Sequence, residues 1–270
     1  MEARTEKKQT QPDRGGGAAD RIYGEITAIS EANVKEFYDQ RAKRLAELGP
    51  YTTVLLGDQR PEYAEQWNRF EKSFVLPRLK LGKRCRVLDI GCGVGRWAEE
   101  IAPLVGAYIG TDLSSGMIAA AAQRFRDVPN VRFINSSFQE IFREREICRF
   151  RYDSVIITGV LMYMCDDEIR KCMDGLSALL KEDAVVYVEE SVGKRDGERL
   201  TLNHIWSENL KANYDAVYRT REEYLDLFSP LLEKTDVLEE DYLEGLDKQE
   251  LSETSHWYAF LKKRRNKAVC

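Results

Sequence analysis

Between residues 83 and 190 the chain alternates short apolar runs with amphipathic stretches. The runs are CRVLDI (85–90), AYIGTDL (107–113), VRFINSS (131–137), YDSVIITG (152–159) and AVVYVEE (184–190). They are rich in Val and Ile and apolar at successive positions, the pattern of strands covered on both faces. Between them the spacing predicts helices near 95–104, 115–126, 138–143 and 166–181. Strands alternating with helices predict an α/β fold with a doubly wound, mostly parallel sheet.

The flanks read differently. From Ile22 to Leu48 the apolar positions Val34, Phe37, Tyr38, Ala42 and Leu45 recur at helical spacing, and Pro61 suits the first turn of a second helix reaching about Leu79. Residues 191–219 are polar with scattered aromatics (Trp206, Tyr214, Tyr218). Thr220 with Glu223 three residues on then forms a capping box before Tyr224, Leu225, Leu227 and Phe228. DVLEEDYL (236–243) and HWYAFLKK (256–263), joined by a polar loop, predict an antiparallel terminal hairpin at the sheet edge, bringing the expected sheet to seven strands. Residues 1–20 hold three consecutive glycines and almost no large apolar side chain, so a disordered tail is expected. The expected organisation is a tail (1–20), a helical segment (21–82), an α/β core (83–264) with a substrate insert at about 191–219, and a second tail (265–270).

Composition narrows the function. At 270 residues the chain fits one large domain with appendages. A net charge of −5 and a pI near 5.4 provide no basic stripe for nucleic acid, the short KKRRNK run (262–267) apart. No apolar stretch approaches a membrane span and no apolar signal core opens the chain, so a cytoplasmic protein without membrane or nucleic-acid partner is expected. The six cysteines stand singly and there are two histidines, which argues against a zinc site or a disulfide framework. No carboxylate set is convincingly placed for a metal, Glu189 and Glu190 leaving a small opening for magnesium.

The chemistry concentrates in VLDIGCGVGRWAEEI (87–101). Gly91, Gly93 and Gly95 follow a strand and open a helix, where glycines let the backbone turn tightly against a ligand. Asp112, at the end of the next strand, is placed to accept hydrogen bonds from ribose hydroxyls. A dinucleotide site would carry a third glycine where Arg96 stands, and Asp89 would repel a pyrophosphate. A nucleoside bearing positive charge and no phosphate suits Asp89, directly or through water; Asp89 bonding the glycine-loop amides is the compatible alternative. Cys92 reads as a small packing residue within the loop.

With YIGTDLSSGMI, VRFINSSFQEI and YDSVIITGVLMYM, this segment resembles the landmarks of class I S-adenosylmethionine-dependent methyltransferases, well over residues 30–190 and loosely beyond. The resemblance implies a Rossmann-like core with S-adenosylmethionine as cofactor. Gly91 to Gly95 would line its methionine part and Asp112 the ribose. Leu113 and Met117 would pack on adenine, Ser137 and Phe138 would meet its amino edge, and Thr158 and Gly159 would lie beneath the sulfonium. Ser137 departs from the acid often found at that position of the family. The stretch VKEFYDQRAKRL resembles the lid helix of small-molecule methyltransferases, with Tyr38 and Arg41 on one face to hold the methionine carboxylate and Tyr51 a weaker candidate.

Methyl transfer needs an acceptor lone pair held in line and water excluded, with a base where the acceptor is a hydroxyl. Candidates are His204 first, then Glu189, Glu190 and Tyr163, with His256 read as structural. The expected acceptor is an oxygen or nitrogen of a small molecule or sugar. A macromolecular acceptor such as a glycan end, a nicotinamide-dependent oxidoreductase and a non-catalytic scaffold are the alternatives. The sequence leaves the oligomeric state open.

Overall fold

A computed structural model describes residues 21–25, 27–193, 198–243 and 254–265; the expected tail 1–20 lies outside them, as does the expected tail 265–270 apart from Arg265. Among the described residues there are ten strands: β1 Arg21–Tyr23, β2 Arg86–Ile90, β3 Ala107–Asp112, β4 Val131–Asn135, β5 Tyr152–Thr158, β6 Leu180–Gly193, β7 Leu200–Ser207, β8 Ala212–Tyr218, β9 Thr235–Tyr242 and β10 Thr254–Lys263. The helices are α1 Glu31–Lys43, α2 Leu45–Leu48, α3 Pro50–Leu55, α4 Pro61–Val75, α5 Ala98–Ile101, α6 Ser115–Arg124, α7 Arg145–Cys148, α8 Asp166–Leu176, α9 Arg221–Leu227 and α10 Ser229–Leu232.

Seven strands form one sheet in the order β4-β3-β2-β5-β6-β10-β9. β2 to β6 pair in parallel, and β10 runs antiparallel to both β6 and β9. Alternation along each strand divides the core in two. Leu88, Val155, Ile157, Val186, Val188 and Trp257 face one side, where α8, α9 and α10 bring Ile169, Met173, Tyr224, Phe228 and Leu231. Val87, Ile156, Val185, Tyr187 and Phe260 face the other, against Trp67 and Val75 of α4 and Trp97, Ala98 and Ile101. Both faces are covered, as the doubly wound pattern requires. The Thr220–Glu223 capping box opens α9 as the spacing predicts.

Local departures have local causes. Ile22 begins a strand rather than a helix, because Arg21, Ile22 and Tyr23 pair with Leu202, Thr201 and Leu200 of β7. α4 stops at Val75 and gives way to a tight 3-10 turn at Leu76–Arg78, since Pro77 has no amide hydrogen to continue the ladder. The helix expected at 138–143 is a run of turns held by short-range bonds such as Glu140 N–H to Ser137 O (3.1 Å) and Arg143 N–H to Glu140 O (2.8 Å). Residues 200–218, read as part of a polar insert, form a hairpin that completes a separate antiparallel sheet, β1-β7-β8. Phe37 of α1 packs against Met162, Leu210, Tyr214 and Ala216, fastening the N-terminal helix to this second sheet.

Candidate active site

The turn after β2 is built by backbone geometry. Gly91, Gly93 and Gly95 have φ of +73°, +53° and +81°, the left-handed region that side chains rarely adopt. Gly91 and Cys92 donate their N–H groups to Thr111 O, both at 2.8 Å, locking the turn onto β3. A Cβ at Gly91 would lie 2.2 Å from Val160 Cγ2, so the segment after β5 closes directly on this turn. At Gly159, φ +61°, no heavy atom lies within 4 Å of the corresponding position.

Over these strand ends lies a cavity of about 790 Å³. One half is lined by Gly91 to Gly93, Asp112 to Ser114, Ser136 to Gln139 and Thr158 to Val160. Val34 and Tyr38 of α1, with Val54 to Leu56, roof it. Asp112 accepts from Gly93 N–H (2.9 Å) through one oxygen and from Ser114 N–H (2.8 Å) through the other, and burial pushes its carboxyl up to about 6. The other half is aromatic and includes Tyr63, Trp67, Trp206, Tyr214 and Tyr218, with Glu189, Ser191 and His256.

Most of the residues singled out from the sequence meet here: Tyr38, Gly91, Cys92, Gly93, Asp112, Leu113, Ser137, Phe138, Thr158, Gly159, Tyr163 and Glu189 line this one cavity. Others are placed elsewhere. Arg41 is 3% exposed, donating to Thr52 O (2.6 Å), Thr53 O (2.8 Å) and Asp58 (2.6 and 3.1 Å), which pins α1 to α3 and leaves no guanidinium edge for a carboxylate in the cavity. Asp89 is fully buried; one oxygen accepts from the Tyr108 hydroxyl, the other has no partner, and neither takes a glycine-loop amide. Burial raises its carboxyl to about 7. Gly95 and Met117 lie behind the wall, a Cβ at Gly95 meeting Phe125 at 2.8 Å. Tyr51 donates to Glu99 (3.0 Å).

The candidate bases separate as well. His204, at φ +54°, sits half-exposed on the outside of β7, bonded to Asn33 (3.2 Å), Asn213 (2.8 Å) and Asp215 (3.4 Å), away from the cavity. Glu189 and Glu190 are consecutive on β6 and so face opposite sides of the sheet, which keeps them from sharing one ion. Glu190 is fully buried and accepts from the N–H groups of Val160 (2.8 Å), Leu161 (2.7 Å) and Met162 (3.2 Å), fixing the segment under the cavity. Tyr163 hydrogen-bonds the hydroxyls of Tyr38 (2.7 Å) and Tyr214 (2.8 Å), and burial pushes its own hydroxyl well above its ordinary value. His256, read as structural, lines the cavity, stacks on Trp67 at 3.9 Å and bonds Glu189 Oε1 through Nδ1 at 2.5 Å. Arg96, 4% exposed, also lines it, its guanidinium on Glu71 at 2.6 Å and within 3.4 Å of Thr158 Oγ1.

The parallel sheet, the left-handed glycine turn and the acid at the end of β3 define a nucleoside-binding Rossmann-like protein of the methyltransferase type. Residues 88–186, about a third of the chain, match the family model described as "Methyltransferase domain". Phosphoethanolamine N-methyltransferase 1 of Triticum aestivum is 24% identical over 178 residues, 66% of this chain and 33% of that protein, so the chain spans about a third of that relative's length. Two of the solved structures that share the fold show the extent of the likeness. The N-methyltransferase NodS of Bradyrhizobium japonicum with S-adenosyl-L-homocysteine superposes with a TM-score of 0.56 at 17% identity, covering 84% of this chain and 99% of that one. Phosphoethanolamine N-methyltransferase 1 of Haemonchus contortus gives 0.64 at 15% identity, covering 89% and 51%.

S-adenosylmethionine is the cofactor of this family, and the residues present fit it. The open space at Gly159 and the side-chain-free backbone of Gly91 and Gly93 admit a ligand pressed against the turn. The Asp112 carboxylate stands at the strand end beside them. No helix among the described residues is long and apolar enough to cross a membrane.

Proposed function

We propose that the protein is an S-adenosylmethionine-dependent methyltransferase acting on a small molecule, with nitrogen the favoured acceptor atom. One observation carries the reading: Gly91, Gly93, Asp112 and Gly159 line the same cavity as Tyr63, Trp67, Trp206, Tyr214 and Tyr218, and its volume of about 790 Å³ lies in the range of small-ligand pockets. Aromatic faces beside a carboxylate, Glu189, favour a cationic amine over a neutral sugar. The resemblance to N-methyltransferases supports the same choice. A chamber roofed by α1 and the β7–β8 hairpin disfavours a long nucleic acid, as does the net charge of −5.

The bound cofactor supplies a methyl group made electrophilic by its sulfonium. The chain's own part is positioning. Asp112 would hold the ribose hydroxyls, Leu113 and Phe138 would flank the adenine, and Thr158 and Gly159 would support the methionine portion. Arg96 replaces Arg41 as the group for the methionine carboxylate, since it is the buried cation on the cavity wall. Tyr38, Tyr163 and Tyr214, linked through their hydroxyls, join the roof to the floor and exclude water.

Calorimetry with S-adenosylhomocysteine against NADH tests the cofactor, and a labelled methyl donor over a panel of small amines, hydroxyl compounds, sugars and glycan ends tests the acceptor. Homocysteine-nucleoside binding and label on an amine are expected. Binding of NADH instead, or label on glycan ends alone, would defeat the reading.

A further inference from the structure

We infer that the Tyr163 hydroxyl donates a hydrogen bond to the acceptor molecule, and that this acceptor is an amino alcohol, an amine with a neutral oxygen a few bonds from its nitrogen. The inference deepens the proposed amine methylation and rests on it. Tyr38 of α1, Tyr163 of the turn after β5 and Tyr214 of β8 all line the cavity, their rings packed edge-on with centroids 5.6 Å (Tyr38–Tyr163) and 6.2 Å (Tyr163–Tyr214) apart. Each phenol brings one O–H proton. Among the described residues the three oxygens share two hydrogen bonds, Tyr163 with Tyr38 at 2.7 Å and Tyr163 with Tyr214 at 2.8 Å. Whichever way those two bonds run, one proton is left over. Burial raises all three hydroxyls above their ordinary value, so each keeps its proton and the cluster is a donor rather than a base. A donor left unmatched in a desolvated site is costly, and a ligand oxygen removes that cost.

The central oxygen is the one placed to present the spare proton. A hydroxyl oxygen accepts two hydrogen bonds, so Tyr38 and Tyr214 can both donate to Tyr163 and leave its own O–H for the ligand. Two bonds accepted by one hydroxyl also polarise it and strengthen its donation. The Tyr163 segment is clamped on both polarities. Glu190 accepts from the N–H groups of Val160, Leu161 and Met162, and the buried Arg219 donates to Leu161 O (2.9 Å) and Met164 O (2.6 Å) on either side of Tyr163. Tyr38 and Tyr214 are set against it from the roof, with Phe37 edge-on to both at 5.1 and 5.4 Å.

The chemistry of transfer fixes what the proton can meet. The acceptor nitrogen must direct its lone pair at the methyl group, so a hydrogen bond donated to that nitrogen would block the reaction. The Tyr163 proton therefore goes to a different atom of the acceptor. The charges on the wall select a neutral oxygen over a carboxylate or phosphate. Arg96 is paired with Glu71 at 2.6 Å, Lys35 with Asp39 at 2.5 Å, and Arg21 has a partner of its own. Glu31, Asp112, Glu189 and Glu208 line the same cavity, so an added anion meets like charge there. A hydroxyl takes the bond without adding charge.

The test compares matched ligands in protein saturated with S-adenosylhomocysteine. Calorimetry measures aminoethanol, aminopropanol and aminocyclohexanol, each beside its deoxy amine, with glycine and aminoethylphosphonate as anionic members. The wild type should bind at least one amino alcohol about 10-fold or more tighter than its deoxy amine and tighter than either anion, and kcat/KM for the labelled methyl should follow the same order. Tyr163→Phe should bring the ratio of amino alcohol to deoxy amine to within about twofold of unity. Because that ratio is taken within one protein, a general loosening of the site cancels from it. Tyr38→Phe and Tyr214→Phe keep the Tyr163 proton and remove one of the bonds that polarise it, so they should lower the ratio less. A wild-type ratio near unity, tighter binding of an anion, or a Tyr163→Phe protein that keeps the wild-type ratio overturns the inference, while label on an amine leaves the methyltransferase reading standing. A Tyr163→Phe protein that keeps the ratio but loses S-adenosylhomocysteine affinity gives the proton to the cofactor and overturns it as well. Failure of the wild type to bind S-adenosylhomocysteine or to label any amine removes the methyltransferase reading and the inference with it.

Discussion

Asp89→Asn tests the electrostatics under the glycine turn. The Asp89 side chain is fully buried with one oxygen accepting from Tyr108 and the other without a partner. Burial raises its carboxyl from 3.8 in the unfolded chain to about 7. A folded value above the unfolded one means that the stabilisation is complete below pH 4 and is lost as the pH rises to 7. A difference of about three units corresponds to about 4 kcal/mol, of which roughly 3 kcal/mol falls between pH 5 and pH 8. Asparagine keeps the shape and the Tyr108 bond but cannot ionise. The variant should therefore gain roughly 3 kcal/mol on the wild type between pH 5 and pH 8, equivalent to about 5 °C in Tm for a chain of this length. Differential scanning fluorimetry or calorimetry of both proteins across that range measures the gain directly. Using the difference between the two removes the other raised acids, Asp112 and Glu190, which both proteins share. Parallel pH profiles would refute the assignment of a buried, partly protonated Asp89. The same pair of proteins tests whether the charge attracts the cofactor: at pH 8 the asparagine protein should lose more affinity for S-adenosylmethionine than for the uncharged thioether S-adenosylhomocysteine.

Gly91→Ala places a Cβ 2.2 Å from Val160 Cγ2 at a φ of +73°, so calorimetry should show S-adenosylhomocysteine binding weakened at least tenfold. Gly159→Ala, with φ +61° but open space around it, should lower stability by only about 1 to 2 kcal/mol in urea unfolding. Arg96→Gln should weaken S-adenosylhomocysteine by about 10-fold or more yet leave 5′-methylthioadenosine, which has no carboxylate, almost unchanged; equal losses would reassign Arg96 to a purely structural pair with Glu71. Arg41→Ala should unfold at lower denaturant by about 3 kcal/mol or more, because Asp58 and two carbonyls lose a buried partner.

The sequence was most readable where local chemistry and tertiary role agree. The glycine turn, the acid at the end of β3, the Thr220–Glu223 cap and the terminal hairpin each carry their signal within a few residues, and each stands where the pattern places it. What was hidden depends on contacts across long separations. Arg21 to Tyr23 carries no strand signal by itself and becomes a strand through Leu200 to Leu202, nearly 180 residues on. Arg41 and Tyr38 share a helix face, but Asp58 and the carbonyls of α3 claim the guanidinium, which no spacing rule reveals. His204 and His256 could be ranked from sequence only by the polarity of their surroundings. The exposed insert made His204 look available, whereas the register of β10 on β6 is what puts His256 beside Glu189.

That register also explains how one strand serves both faces of the molecule. Consecutive residues of β6 point to opposite sides, so Glu189 enters the chamber while Glu190 caps the N–H groups of Val160 to Met162 from the other face. The two acids are adjacent in sequence, yet their contacts are separable: Glu190 shapes the floor that carries Tyr163, and Glu189 bonds the His256 imidazole of the neighbouring strand. Glu190→Gln leaves three amide donors facing one neutral oxygen and an added N–H pair, so it should disturb the Val160 segment and with it the turn that Val160 closes on at Gly91. Its effect should appear as weaker S-adenosylhomocysteine binding in calorimetry, whereas Glu189→Gln should leave that affinity intact. Equal losses of cofactor affinity in the two variants would show that the alternation of β6 does not divide the labour as argued.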